Sequence, residues 1–186
     1  MKGKPETPMR LILAATLLFL AACTGKPSFD DPVLSDRKLN LEEFFDGELV
    51  AYGQFQDVLG TVRRNFVVEI EGDWDGERLR LVEDFVYEDG ATEQRIWTLV
   101  KTGEDSWTGT APSVIGSATG IEDGDRFNWV YEIDLPIPSA DGETETMRVS
   151  FDDWMWLLAD DRLLNLAYVK RYGLDIGVVT ISFEKL

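Results

Sequence analysis

The chain of 186 residues has a formal net charge of −17 and contains one cysteine and no histidine. The lack of histidine excludes a Ser-His-Asp triad, a Cys-His pair and metal sites built on imidazole, and the acidity argues against nucleic acid or anionic lipid as a partner. Any catalysis would depend on carboxylates, Lys, Tyr or Ser. We therefore expect no cofactor, no metal and a non-enzymatic role.

Residues 1–22 have the pattern of a lipoprotein signal peptide. Positive charges precede an apolar run from Leu11 to Ala22, which is too short to span a bilayer. The run ends in Leu20-Ala21-Ala22-Cys23, which is similar to the lipobox cleaved by lipoprotein signal peptidase. We predict cleavage before Cys23 and lipidation of its thiol, whether translation starts at Met1 or at Met9. The alternative is an ordinary secretory signal with an incidental cysteine.

The lipidated cysteine would be the link between the chain and a membrane. Several acyl chains on Cys23 hold a protein firmly, whereas a single chain gives only marginal binding. Position 24 is Thr and not Asp, which favours sorting to the outer membrane, on its periplasmic face. Residues 23–37 are polar and contain two prolines, so they are predicted to be a linker to a single domain formed by residues 38–186.

The domain is predicted to be almost entirely β. One or two helical turns are expected, capped by Asn40 and ended by Gly47. Alternation and turn signals then predict strands at 48–56, 62–71, 78–87, 93–101, 106–111, 114–120, 125–134, 145–152, 154–159, 163–172 and 176–185. Short turns such as Asp89-Gly90 and Asp141-Gly142 separate these strands, so neighbours should pair antiparallel.

A meander of this length usually closes on itself to remove its edges. The sequence therefore predicts an all-β, up-and-down barrel of about eight to ten strands, with a two-sheet sandwich as the alternative. The side chains at Phe127, Trp129, Tyr131 and Ile133 alternate cleanly and should share one face of their strand.

Several unusual clusters occur together in the chain. They are Trp74-Asp75-Gly76, Glu83 to Gly90, Arg95 to Leu99, Gly116 to Gly120, Asn128 to Tyr131 and Phe151 to Met155. In this order, behind a lipobox, they resemble the DUF3833 family of uncharacterised proteobacterial lipoproteins, over roughly residues 38–186. The resemblance implies an envelope location and a calycin-like barrel of the lipocalin type. It supplies no catalytic residues.

Aromatic and arginine side chains are the candidate ligand-binding residues. The aromatic candidates are Trp97, Trp129, Tyr131 and Trp154, with Trp156 close by, and they could either line an apolar cavity or fill the barrel. The arginine candidates are Arg64, Arg95 and Arg148. An inward Arg could hold a fatty-acid carboxylate, or it could neutralise a buried acid or reach solvent along its stem.

Two pairs of adjacent acids, Glu83-Asp84 and Asp152-Asp153, are the candidates for carboxylate chemistry. Neighbouring residues of a strand point to opposite faces, so at most one member of each pair can face the interior. A catalytic pair would have to be assembled from two strands.

Three hypotheses follow for the function. The first is a monomeric lipoprotein that binds a fatty acid or a lipid-like molecule inside its barrel. The second is a carboxylate-based enzyme acting on envelope glycans or lipids, and the third is a structural module with a filled barrel and an outer surface for a partner.

Overall fold

The computed structural model describes residues 25–33, 35–138 and 144–186. The predicted signal peptide, Cys23, Thr24 and the Asp141-Gly142 turn lie outside these residues. Within the described part of the chain, no helix has both the length and the apolar character needed to cross a bilayer.

Ten antiparallel strands form a closed barrel in which each strand pairs with its neighbours in sequence and β1 pairs with β10. The strands are β1 Gly47–Asp57, β2 Val62–Trp74, β3 Arg78–Tyr87, β4 Thr92–Lys101, β5 Ser106–Thr110, β6 Ala118–Asp123, β7 Arg126–Pro138, β8 Thr144–Ala159, β9 Arg162–Arg171 and β10 Leu174–Lys185. The predicted all-β meander and its closure into a barrel are thus confirmed.

The long strand β8 replaces the two strands predicted at 145–152 and 154–159. The prediction ended the first strand at Asp152 and began the second at Trp154, which left Asp153 between them. In the structure Asp153 continues the strand, pairs in register with Trp129 and Ala167, and points into the barrel.

The sixth strand begins four residues later than the predicted strand at 114–120. Residues 111–117 form a connection in which Val114 makes only an isolated bridge to Ile133. β6 then runs from Ala118 to Asp123 and alternates buried and exposed residues along its length.

A single helical turn, α1, spans Leu41–Phe45 where it was predicted, but Asn40 does not cap it as expected. The Asn40 side chain donates to Glu43 Oε2 at 2.9 Å and accepts no backbone N–H of the helix. The first N–H of the helix, that of Leu41, donates instead to Glu122 Oε1 at 2.6 Å. A buried carboxylate from β6 therefore satisfies the helix start.

The helix α1 closes one end of the barrel. The ring of Phe45 meets that of Phe183 edge to face, with centroids 5.5 Å apart, and Glu42 forms an ion pair with Lys101 at the end of β4. A Cβ atom at Gly72 would lie 1.6 Å from the carbonyl oxygen of Phe45. Only glycine therefore lets the helix approach β2 this closely.

Candidate functional site

The barrel contains a cavity of about 220 Å³ between α1 and the opposite end. Its walls are mostly aromatic and aliphatic. On β2 and β7 the inward positions are Phe66, Val68, Ile70, Phe127, Trp129, Tyr131 and Ile133, as the alternation of those strands predicts. The lining residues near α1 are buried and those at the far end are partly exposed, so the cavity opens away from the helix.

Tyr87, at the end of β3, forms part of the rim of this opening. Its hydroxyl donates to Glu93 Oε2 at 3.0 Å, and burial together with the Glu93 charge raises the pKa of Tyr87 to about 12. The Arg64 guanidinium carbon lies 3.4 Å from the centre of the Tyr87 ring, and Arg64 also pairs with Asp89 at 3.1 Å. The rim therefore carries an arginine that is stacked on Tyr87 and whose charge is paired with that of Asp89.

Deeper inside, Glu83 and Arg95 form an ion pair on the cavity wall. They are direct cross-strand neighbours on β3 and β4, and Arg95 Nε donates to Glu83 Oε2 at 2.6 Å. Burial acts against the charge on Arg95, but the charge and hydrogen bond of Glu83 together with Tyr131 and Glu93 outweigh it, so the pKa of Arg95 is raised. The guanidinium also lies over the rings of Phe85 and Trp97, at 4.9 and 5.8 Å.

A second polar group joins this pair from β7, β8 and β9. Asp153 and Asn165 are buried, 5% and 2% exposed, and Asn165 Nδ2 donates to Asp153 Oδ2 at 3.4 Å. Tyr131 lies close enough to Asp153 for the charge of that carboxyl to raise the pKa of the Tyr131 hydroxyl. Among the described residues, Asp153 Oδ1 and Asn165 Oδ1 have no hydrogen-bond partner. We call Glu83, Arg95, Tyr131, Asp153 and Asn165 the inner polar cluster.

Burial dominates the electrostatics of the inner polar cluster. It raises the pKa of Asp153 to about 7, with the nearby charges of Asp152 and Glu83 adding to the shift and the Asn165 hydrogen bond and Arg95 opposing it. Burial and the Asp153 charge also raise the pKa of Tyr131 well above its ordinary value. Near neutral pH the Asp153 carboxyl can therefore exist in either protonation state.

Aromatic rings surround the cluster and form the apolar body of the cavity. Trp97 meets Tyr131 and Trp129 edge to face, with centroids 5.2 and 5.8 Å apart. Tyr131 is stacked on Phe151 at 5.0 Å, with the two rings nearly parallel. The site thus combines flat apolar walls with one localised polar patch.

Four of the seven predicted ligand-binding residues line the cavity. They are Arg95, Trp97, Trp129 and Tyr131. Arg64 shares the inward face of β2 but lies at the rim, where its side chain is 42% exposed. Contact of these residues with a ligand stays a prediction.

The remaining two candidates, Arg148 and Trp154, lie on the outer face of β8 and not in the cavity. Arg148 is exposed and forms a two-pronged ion pair with Asp134 on β7. Trp154 is stacked on Trp156, which shares its face. Asp153, between these outward positions, is the residue that faces inward, so the parity of β8 is opposite to that assumed for the two candidates.

In each of the two acid pairs, one member faces the cavity and the other faces outward, as strand alternation predicts. Glu83 and Asp153 face the cavity, whereas Asp84 bonds to Gln94 and Asp152 bonds to Asn128 outside it. Asn165 was missed by sequence reasoning.

A signal for Asn165 was nonetheless present in β9. Its inward positions are Leu163, Asn165, Ala167 and Val169, so one amide interrupts an otherwise apolar row. A polar exception of this kind is either satisfied within the core or functional.

Comparison with known families identifies the chain. The model of the family described as "Protein of unknown function (DUF3833)" matches residues 17–185. The chain belongs to the DUF3833 family. No curated protein matches it.

Solved structures share the fold of this DUF3833 barrel at low sequence identity. The S-type phycobiliprotein lyase CpeS from Guillardia theta is 12% identical, with a TM-score of 0.55 over 78% of this chain and 92% of its own. A protein of unknown function from the DUF3598 family of Nostoc punctiforme is also 12% identical, with a TM-score of 0.52 over 85% of this chain and 53% of its own. These similarities show the barrel fold and, at such identity, the fold alone.

Proposed function

We propose that the chain is a lipid-anchored protein of the bacterial envelope whose barrel binds a small, lipid-like amphipathic molecule. The observation that carries the proposal is the cavity inside the barrel, which has aromatic walls and one buried polar cluster. Ligand sites in proteins typically have this form, with mostly apolar walls and a few convergent polar groups.

The size of the cavity supports binding over a purely structural role. An apolar cavity of about 150 Å³ can hold a benzene molecule, and this cavity has about 220 Å³. Filling it with apolar side chains would bury more apolar surface, and each buried methylene contributes about 0.8 kcal/mol. A barrel whose only task is to present an outer surface would gain by filling this space.

Uptake of a neutral fluorescent probe tests the binding proposal. The full chain, held in phosphatidylcholine nanodiscs, is titrated with N-phenyl-1-naphthylamine, and empty nanodiscs serve as the blank. We expect saturable binding that is lost in Ala167→Phe, which adds a ring to the cavity wall, and kept in Val130→Phe, which adds one to the outer surface. Circular dichroism shows whether both variants are folded. Absence of any uptake by the wild-type chain would refute the proposal.

The anchoring part of the proposal rests on the lipobox that ends at Cys23. We expect the chain expressed in a Gram-negative bacterium to incorporate labelled palmitate and to sediment with the outer membrane. Cys23→Ser should abolish both. Labelling that persists in Cys23→Ser would contradict the predicted site.

A carboxylate-based enzyme is the second candidate function, and one observation favours it. Glu83 and Asp153 line the same cavity in unlike environments, since Glu83 is paired with Arg95 and Asp153 has a raised pKa. Acid and base roles are divided between carboxyls in this way in glycosidases. Release of product from envelope glycan fragments by the wild-type chain, lost in both Glu83→Gln and Asp153→Asn, would establish this activity.

A further inference from the structure

When Asp153 is ionised, the unpartnered polar atoms of the inner polar cluster are both hydrogen-bond acceptors. They are Oδ1 of Asp153 and Oδ1 of Asn165, each on a side chain that is at least nine-tenths buried and that lines the cavity. The orientation of the Asn165 amide follows from its hydrogen bond, because its Nδ2 is the atom that faces Asp153 Oδ2. A buried acceptor without a donor is unfavourable, so the cavity is prepared for a group that donates.

The charges on the cavity wall disfavour the opposite arrangement. Arg95 is the one arginine in the lining of the described barrel, and its charge is already paired with that of Glu83, to which its Nε donates. Asp153 and Glu93 also line the cavity, so an entering carboxylate would meet three acidic side chains and one guanidinium that is engaged with the first of them. Because the surroundings are apolar, this repulsion is screened less than it would be in water.

The aromatic walls suit a cationic head as well as an apolar tail. Trp97, Trp129 and Tyr131 present rings beside Asp153, and the faces of such rings attract ammonium groups. The same rings bury an alkyl chain without hydrogen-bonding to it.

We infer that the head group which reaches the inner polar cluster is a hydrogen-bond donor without negative charge, an amine or an alcohol, and not a carboxylate. Its N–H or O–H groups bond to Asp153 Oδ1 and Asn165 Oδ1, while the apolar body lies against the tryptophans. This inference rests on the proposed function, since it concerns the ligand of the same cavity. It replaces the fatty acid suggested by the sequence with a long-chain amine or alcohol.

Three amphiphiles with the same eight-carbon tail test the inference. Octan-1-amine, octan-1-ol and octanoate are titrated at pH 8 into the full chain in phosphatidylcholine nanodiscs, with empty nanodiscs as the blank. Binding is followed by tryptophan fluorescence and by displacement of N-phenyl-1-naphthylamine. We expect the amine and the alcohol to bind and octanoate to bind at least tenfold more weakly than the amine.

Two variants that remove the same charge identify the partner of the head group. Asp153→Asn should weaken the amine at least tenfold and leave the alcohol nearly unchanged. Asp152→Asn removes a carboxylate one residue away on the outer face, and it should bind all three amphiphiles as the wild type does. Asn165→Leu, which removes the second acceptor, should weaken the alcohol and the amine together.

The outcomes separate this inference from the proposed function. Octanoate binding as tightly as the amine, or an amine preference kept by Asp153→Asn, would overturn the inference while the proposed function stands. The inference would also be overturned, with the proposed function intact, if the neutral probe binds and none of the three amphiphiles displaces it. If the wild-type chain does not bind the probe, both this inference and the proposed function are refuted.

Discussion

Replacing Asp153 by Asn is expected to change how the stability of the barrel depends on pH. The pKa of Asp153 is about 7 in the folded chain, against an ordinary value of 3.8. The folded state therefore favours the protonated carboxyl. The contribution of this carboxyl to the stability of the fold is fully present below about pH 4. It is lost progressively as the pH rises toward 7, because the unfolded chain releases the proton first.

The magnitude follows from the difference between the two pKa values. A shift of about 3 units corresponds to a loss on the order of 4 kcal/mol between pH 4 and pH 7, at about 1.4 kcal/mol per pH unit. Asp153→Asn has no proton to lose at this position. Its stability relative to the wild type should therefore rise over that range and become constant above pH 7.

Urea denaturation followed by tryptophan fluorescence measures the effect at intervals from pH 4 to pH 8.5. Titration of the other acids changes both proteins alike and cancels in the difference. Asp152→Asn, with its side chain outside the cavity, should change the curve much less than Asp153→Asn, because the Asp152 charge is only a minor cause of the raised pKa of Asp153. Parallel curves for Asp153→Asn and the wild type would refute the reasoning, because they would mean that the buried carboxyl titrates normally.

Three further substitutions, together with two control substitutions, test the supports of the cavity by urea denaturation. Gly72→Ala drives a Cβ atom into the carbonyl oxygen of Phe45 and should cost about 2 kcal/mol or more, so an unchanged midpoint would contradict the described approach of α1 to β2. Glu122→Ala leaves the first helix N–H without an acceptor and should cost about 1–3 kcal/mol, whereas Glu122→Gln keeps an acceptor and should cost less. Arg95→Gln leaves a buried acid unpaired and should cost about 3 kcal/mol. Arg148→Gln breaks an exposed pair and should cost less than about 1 kcal/mol, and equal losses for the two arginines would show that burial does not distinguish them.

The strands of the barrel could be predicted from the sequence because the signals that define strands and hairpins lie in neighbouring residues. Turn pairs such as Asp89-Gly90 and Asp123-Gly124 fix the hairpins, and the glycines take the positive φ values of 82° and 62° that such turns require. The alternation around Trp129 then assigns an inner face to its strand. The number of strands favoured closure, although the sequence also left a two-sheet sandwich open.

The candidate site was predicted less well, because its residues depend on strand parity and on position along the barrel. Arg148 and Trp154 were proposed as ligand-binding residues, but on the continuous strand β8 they alternate with the inward-facing Asp153 and lie on the outer face. Arg64 has inward parity, but the rim is open to solvent at its level, a fact that alternation does not encode. Whether the interior is filled or hollow depends on how all ten strands stagger, so the cavity was visible only in the structure.

The seam between β1 and β10 also determines the order in which the barrel can form. Every other neighbouring pair consists of strands that follow one another in the sequence, but the seam aligns Leu49 with Lys185, near opposite ends of the domain. Hairpins are local and form early, whereas a pairing this distant must first overcome the loss of chain entropy. The cavity has no complete wall until that step is made. Because the start of β1 and the end of β10 lie side by side, a short peptide could join them. New chain termini could then be placed in the turn at Asp89-Gly90. Such a circular permutant would have the same walls and would close them at a different seam.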